Sequence, residues 1–385
     1  MAKWPRQIVF GDVDAMFASA AVVADPSLAG KPIAVGGPPP RGIIAAASYA
    51  VRSFGVHSAM PTAQAKKLCP GLILIPPDRP LYKRLHEQMR AVTDRLFPVT
   101  EWSSIDEFYA DATDLQLLHP NPKALGQMVK DEMFKATGLC CTIAIATSKP
   151  LAKIAADAHK PDGLAIIEPS TEAAFLAPLP VKSLPGIGPK TAEALKRIGV
   201  RTIGDLLEPR FDVALARMWG PRLPLVQALA QGTDDDPVVP ERDQKSLGHE
   251  TTFDHDTTDL ALLEKTLKEF LAALAHELRV EGLAAGSFTV KLKDSAHKIT
   301  TRQRHFPKPL NDDPMMWPDI RAALKHLMAP DTRYRLAGVT LTDLVSASAG
   351  LFDQKRSKAL AAMDAIIEKH GAKAIGLGKT SEKNS

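Results

Sequence analysis

Residues 10–19 read "FGDVDAMFAS", and the reading of this stretch decides the rest. The apolar run Ile8, Val9, Phe10 looks like a buried strand, yet it closes on two carboxylates, Asp12 and Asp14. The chain then passes at once into "AMFASAAVVA" (15–24), which reads as a helix. A solvated strand end explains the acids blandly, and a metal site explains them sharply.

Working outward, "PIAV" (32–35) is a second short strand and "GGPPPRG" (36–42) a loop. "LILIPPD" (72–78) gives a strand and a stop before a long helix from Leu81 to Leu96, whose Leu81, Leu85, Met89, Val92 and Leu96 share one face. "TEWSSIDEFYADATDL" (100–115) predicts two short strands around a polar turn, and "LCCTIAIATS" (139–148) a buried strand leading into the helix "PLAKIAADAHK" (150–160). Alternating strands and helices to about residue 167 predict an α/β domain with an insertion. Short helical segments follow to 233, then a charged, proline-bearing linker, then an α+β unit over 245–345, and an amphipathic helix over 353–369.

The chain has 385 residues, enough for two to four domains, with a mild formal net charge of +4 that permits a polyanionic partner without requiring one. Three cysteines, Cys69, Cys140 and Cys141, lack zinc-site spacing and cannot all pair, which suits a reducing, intracellular setting. No apolar run reaches the length of a membrane span, and no signal-peptide core opens the chain; a cytoplasmic protein is expected.

Four further patterns bear on chemistry. In "SSIDEF" (103–108), Asp106 and Glu107 are adjacent, so both serve one site only at a strand end, turn or bulge. With Asp12 they would form an all-oxygen cage suited to Mg²⁺, and three carboxylates around two such ions is a phosphoryl-transfer constellation; two solvated acidic loops are the alternative. "GIGPKTAEALKRIGVRTIGDLL" (186–207) has the pattern of a helix-hairpin-helix, with Gly186 and Gly188 admitting a phosphate to backbone N–H groups and Lys190 adding charge; a plain corner between packed helices is the alternative. "SFTVKLKDSAHKITTRQRHFPKPL" (287–310) is basic. Phe288, Val290 and Leu292 are expected to face a core, and Lys291, Lys293, Arg302 and Arg304 to form a one-sided basic sheet for phosphate tracking or merely a solvated face. Tyr49 and Arg52 share a helical face, and Lys160 closes a helix: groups that a triphosphate needs, though each is commonly a surface residue.

Taken in order, "GDVDAMFAS" (11–19), "ASYAVRSFGVHSAMPTAQAKKLCPG" (47–71), "SSIDEFYAD" (103–111), "LAKIAADAHKPDG" (151–163) and "LPGIGPKTAEALKRIGV" (184–200) closely resemble the Y-family translesion DNA polymerases, in particular the bacterial DNA polymerase IV (DinB) branch. The resemblance implies a right-hand polymerase of mixed α/β and α+β domains: palm over 1–14 and 76–166, small fingers over 15–75, helical thumb with the helix-hairpin-helix over 167–233, linker over 234–244, little finger over 245–345 and tail over 346–385. It implies low-fidelity, template-directed addition of dNTPs to a primer 3′-OH, with two Mg²⁺ ions held by Asp12, Asp106, Glu107 and the carbonyl of Val13. By the same resemblance Phe17 is a steric gate against the ribose 2′-OH, and Ala15, Met16, Phe17, Tyr49, Arg52 and Lys160 contact the dNTP. "SASAGLFDQ" (346–354) resembles a sliding-clamp peptide with Leu351 and Phe352 as its apolar plug, although Ser348 replaces the leading Gln. Primer-template DNA, dNTPs and the clamp are the implied partners of a monomer. Phe108 departs from the family, standing beside the acids where Ala is frequent, and Ala46 replaces a frequent Thr. A silent relative acting as a DNA-damage scaffold is the alternative function, whose mark would be loss of the acids.

Overall fold

The computed structural model describes residues 4–240 and 243–347, with residues 360, 362, 364–366 and 369. The clamp peptide at Leu351 and Phe352, and most of the 353–369 helix, lie outside the described residues. The described chain falls into two compact units on either side of residue 242.

In the first unit the elements run β1 (Ile8–Val13), α1 (Met16–Ala24), β2 (Ile33–Gly36), β3 (Ile44–Ala47), α2 (Tyr49–Arg52), α3 (Thr62–Leu68), β4 (Ile73–Ile75), α4 (Arg79–Leu96), β5 (Thr100–Trp102), β6 (Glu107–Asp111), α5 (Pro122–Thr137), β7 (Cys141–Ala146), α6 (Lys149–His159) and β8 (Leu164–Ile166). The short helices α7 (Glu172–Leu176), α8 (Pro189–Arg197), α9 (Asp212–Trp219) and α10 (Leu223–Ala230) complete it.

β1 extends to Val13, beyond the apolar run that predicts it, because it pairs on both sides, antiparallel to β6 and to β7. It is the centre of a sheet ordered β5-β6-β1-β7-β8. Its alternation serves two cores. Ile8 and Phe10 pack with Leu151, Ile154 and Ala155 of α6, while Val9 and Val13 pack with Leu81, Leu85, Met89 and Val92 of α4 and Leu125 and Val129 of α5. α4 begins where Asp78 accepts the Leu81 N–H at 3.0 Å, with Pro80 in the first turn. β2 is the middle strand of a separate sheet, β3-β2-β4, over a small core of Ala34, Ile44, Ala47, Val51, Met60 and Ala65.

The second unit contains β9 (Ser246–Thr257), α11 (Leu260–Val280), β10 (Leu283–Asp294), β11 (Ile299–Leu310), α12 (Asp313–Leu327) and β12 (Tyr334–Ser346). Its sheet is ordered β11-β10-β12-β9, with every pairing antiparallel. Leu263, Leu267, Leu271 and Leu274 of α11 and Met316, Ile320 and Leu324 of α12 cover one face, against Phe288, Val290, Leu292, Val339 and Leu341. Among the described residues no helix is long and apolar enough to cross a membrane.

One departure in the sequence finds its reason here. Gly11 lies opposite Phe108 in the β1–β6 register. A Cβ on Gly11 would stand 2.2 Å from Phe108 Cε1 and 2.9 Å from Ile143 Cδ1, so the Phe108 ring occupies the space that a side chain at 11 would take. Gly11→Ala is therefore expected to destabilise the protein by roughly 1–3 kcal/mol by overpacking. The cost should fall in a Phe108→Ala background, and denaturant unfolding of both singles and the double variant checks that coupling.

Candidate active site

The two acidic stretches meet at one end of the large sheet. Asp12 pairs directly with Glu107 across β1 and β6, and antiparallel partners project to the same face. That face is the one α6 covers, since Asp12 is in phase with Ile8 and Phe10. Asp106 lies in the turn just before β6, its carbonyl accepting the Val13 N–H at 3.0 Å. Ser104 holds this turn: its hydroxyl donates to Asp106 Oδ1 at 2.6 Å and accepts from the N–H of Asp106 (3.3 Å) and of Glu107 (3.1 Å). Asp106 and Glu107 are thus presented together at a strand end.

The helix beneath supplies the counter-charge. Lys160 Nζ lies 2.5 Å from Asp12 Oδ2, and Lys153 Nζ 2.5 Å from Glu107 Oε1. One turn earlier, buried Lys149 reaches Glu101 at 2.9 Å and Asp236 at 2.5 Å. Burial, opposed by Lys160 and reinforced by the charges of Glu107 and Asp106, pushes the Asp12 carboxyl up to about 7. Burial also acts on Glu107, but Lys153 outweighs it and holds that carboxyl below its usual value. Among the described residues no three acids, histidines or cysteines close into a coordination sphere. The acids are instead shared between two ammonium groups that occupy the cationic role. An all-carboxylate oxygen set with a destabilised acid at its centre is suited to a hard divalent cation.

Around this end stand the other residues expected from the sequence. Ala15 has φ 47°, in the left-handed region, and α1 starts at Met16 with no side-chain cap, so its first N–H groups are left for a ligand. Met16 itself is buried, and what it offers is its backbone. Phe17 is stacked on Tyr82 of α4, with centroids 4.2 Å apart and 21° between planes. Tyr49 and Arg52 share one turn of α2: the guanidinium lies 4.2 Å from the Tyr49 ring centre, and its Nε donates to the Ala47 carbonyl at 3.1 Å.

Sequence reasoning missed Lys153 and Tyr82. Lys153 was legible as the residue seven before Lys160, two helical turns away on the same face. Tyr82 had no signal, since it lies 65 residues from Phe17 in the chain.

The nucleic-acid candidates are not all arranged as expected. In the thumb, Gly186 adopts φ 89°, Gly188 precedes the first turn of α8, and Lys190 is exposed in that turn. In the second unit the expectation of a one-sided basic sheet is corrected. Arg302 pairs with Val290 and Arg304 with Phe288, so both arginines project to the helix-covered face, while Lys291 and Lys293, paired with Thr301 and Ile299, project to the other. Because β11 is an edge strand, Arg304 is exposed despite that orientation. Lys291 is held by Glu250 at 2.7 Å.

A sheet carrying acids at one end, an inserted small sheet and a helical hairpin is the architecture of a right-hand, nucleotide-adding polymerase. Models of the impB/mucB/samB family match residues 11–157, of its C-terminal domain residues 244–354, and of its helix-hairpin-helix motif residues 169–200. The chain is 39% identical over 351 residues to DNA polymerase IV of Methanoculleus marisnigri, covering 89% of this chain and 96% of the relative. It is 36% identical over 361 residues to DNA polymerase IV of Alkalilimnicola ehrlichii, covering 92% and 99%. Among solved structures it is similar to a Y-family Dbh–Dpo4 chimera (TM-score 0.79, 26% identity, covering 88% of this chain and 99% of that one) and to an insertion ternary complex of Dbh DNA polymerase (TM-score 0.63, 26% identity, 88% and 99%). The chain belongs to the Y-family DNA polymerases, in the DNA polymerase IV (DinB) branch.

The lysine pairing has a measurable consequence. Lys153→Met leaves the half-buried Glu107 carboxylate without its ammonium, and should destabilise the metal-free protein by roughly 1–3 kcal/mol. Added Mg²⁺ should recover more stability in the variant than in the unmodified protein, as read by thermal unfolding with and without the ion.

Proposed function

We propose that the sheet end formed by Asp12, Asp106 and Glu107 is where this polymerase joins a dNTP to a primer 3′-OH. The protein is a DNA-directed DNA polymerase of the low-fidelity, translesion class, acting on primer-template DNA and dNTPs in DNA repair and damage tolerance. The observation that carries the site assignment is the direct pairing of Asp12 with Glu107 on one face, with the Asp106 turn locked beside them.

Asp12, Asp106, Glu107 and the Val13 carbonyl are the groups that would hold two Mg²⁺ ions. Bound there, the ions activate the primer hydroxyl and offset charge on the triphosphate and the departing pyrophosphate. The free N–H groups at 15–17, at the positive end of α1, donate to phosphate oxygens, and Tyr49, Arg52 and Lys160 complete the cationic, hydrogen-bonding cradle. Lys160, paired here with Asp12, would turn to the phosphates once that carboxylate is engaged by a metal. Phe17, braced by Tyr82, fills the space next to the sugar and excludes a 2′-OH.

Gly186, Gly188 and Lys190 grip the DNA backbone through the thumb, and Lys291, Lys293, Arg302 and Arg304 do so from the little finger, the lysines and arginines on different faces. The protein works as a monomer in the cytoplasm and is recruited by the sliding clamp through Leu351 and Phe352. A silent scaffold is disfavoured because all three acids are present.

Primer extension with Mg²⁺ and single nucleotides tests the site. Asp106→Ala should lose activity by about 10³-fold or more; extension equal to that of the unmodified protein would refute the assignment. In the same assay Phe17→Ala should incorporate ribonucleotides, and unchanged rNTP use would place the gate elsewhere. Deleting residues 346–385 should spare extension of short primers while abolishing stimulation by the clamp.

A further inference from the structure

Asp14 has no role in the site as described, yet it is as buried as Asp12. It does not join the other acids, because β1 ends at Val13 and the chain turns through Ala15 in the left-handed region. Its carboxylate is instead surrounded by donors from three separate parts of the first unit. The Thr142 hydroxyl of β7 lies 3.1 Å from Oδ1 and 3.2 Å from Oδ2. The Asp162 N–H donates to Oδ2 at 2.7 Å, and the Tyr49 hydroxyl to Oδ1 at 3.2 Å. Thr142 in turn accepts the Gly163 N–H at 3.2 Å, so acid and threonine together hold the turn that begins at Lys160.

The backbone of Asp14 is fixed as well. Its N–H donates to the Cys140 carbonyl at 3.1 Å, and its carbonyl accepts the Ser19 hydroxyl at 2.5 Å. A buried carboxylate is tolerated only where donors replace the water it has lost. Here the donors are Tyr49 itself and the turn two residues beyond Lys160. Both carry groups that the proposed function assigns to the triphosphate, and the inference rests on that assignment.

We propose that Asp14 is a positioning residue for the incoming nucleotide, presetting the Tyr49 hydroxyl and the Lys160 turn before the triphosphate arrives. Tyr49 has one hydroxyl proton, and in the absence of nucleotide it is given to Asp14. At 3.2 Å this is among the longer bonds of the set, while the 2.7 Å bond from Asp162 is among the shortest. The tyrosine bond is the one to be exchanged: a phosphate oxygen takes over the proton, and Asp14 stays anchored by Thr142 and Asp162. Arg52 follows Tyr49 because its guanidinium is stacked over that ring.

Single-nucleotide insertion kinetics with the full-length protein at saturating Mg²⁺ test this. Asp14→Ala should raise KM for dNTP about 10–100-fold while changing kcat by less than about 3-fold. Its effect and that of Tyr49→Phe should combine to less than their product in the double variant. Asp14→Asn, of equal volume, should show the same pattern in weaker form and carries the comparison if the alanine variant does not fold. A loss confined to kcat, with a raised Mg²⁺ requirement, would make Asp14 a metal ligand and overturn the proposal, as would fully multiplicative effects with Tyr49→Phe. If Tyr49→Phe and Lys160→Ala both leave KM unchanged, the triphosphate assignment itself fails and the proposal with it. If both raise KM and Asp14→Ala does not, only the positioning role is lost.

Discussion

Putting a carboxylate at the buried end of the central strand is the constraint around which the first unit is organised. Asp12 is 5% exposed, and an isolated charge at that depth costs several kcal/mol unless a cation or strong donors answer it. The answer comes from α6 and the residue that follows it: Lys149 and Lys153 of the helix and Lys160 just past its end face acids at 101, 107 and 12 in a row. This ladder fixes the phase of α6 against the sheet, and with it the location of the turn after residue 159. The same ammonium groups keep the site assembled without metal. At the metal site proposed above, a divalent ion would displace existing charge pairs instead of entering a collection of repelling acids.

The residues flanking that acid show how tightly the strand is packed. On the face opposite Asp12, Gly11 leaves room for Phe108, so the unusual aromatic beside the acids is a packing partner of a missing side chain. On the fingers side, Phe17 rests on a buried tyrosine from α4, which gives the proposed gate a rigid backing. A ring that excludes a hydroxyl must resist displacement, and stacking against Tyr82 supplies that resistance.

The second unit shows where pattern reading stops. Alternation along β10 correctly separates Phe288, Val290 and Leu292 from Lys291 and Lys293. Alternation along β11 correctly puts Arg302 and Arg304 together. It contains nothing about register between the strands, and a one-residue slip exchanges faces entirely. The observed register sets the arginines opposite apolar residues, at an edge where their heads still reach solvent.

Local physics thus determined a good deal of this protein from sequence alone. The long helix read over 81–96, which the structure starts two residues earlier, the paired strands around "SSIDEF" and the helical hairpin start at "GIGPK" follow from periodicity and turn residues. Family resemblance, carried by the order of five motifs, named the fold and the activity. Only the tertiary structure decided which charges meet. Asp12 and Glu107 are 95 residues apart and become neighbours through strand pairing, whereas Asp12 and Asp14, two apart, are separated because the strand ends between them. Spacing along a chain reports the faces of one element, and the partner on each face is set by long-range register and burial. For that reason the acid most conspicuous in "FGDVDAMFAS" proves to hold Tyr49 and the Lys160 turn rather than to face Glu107.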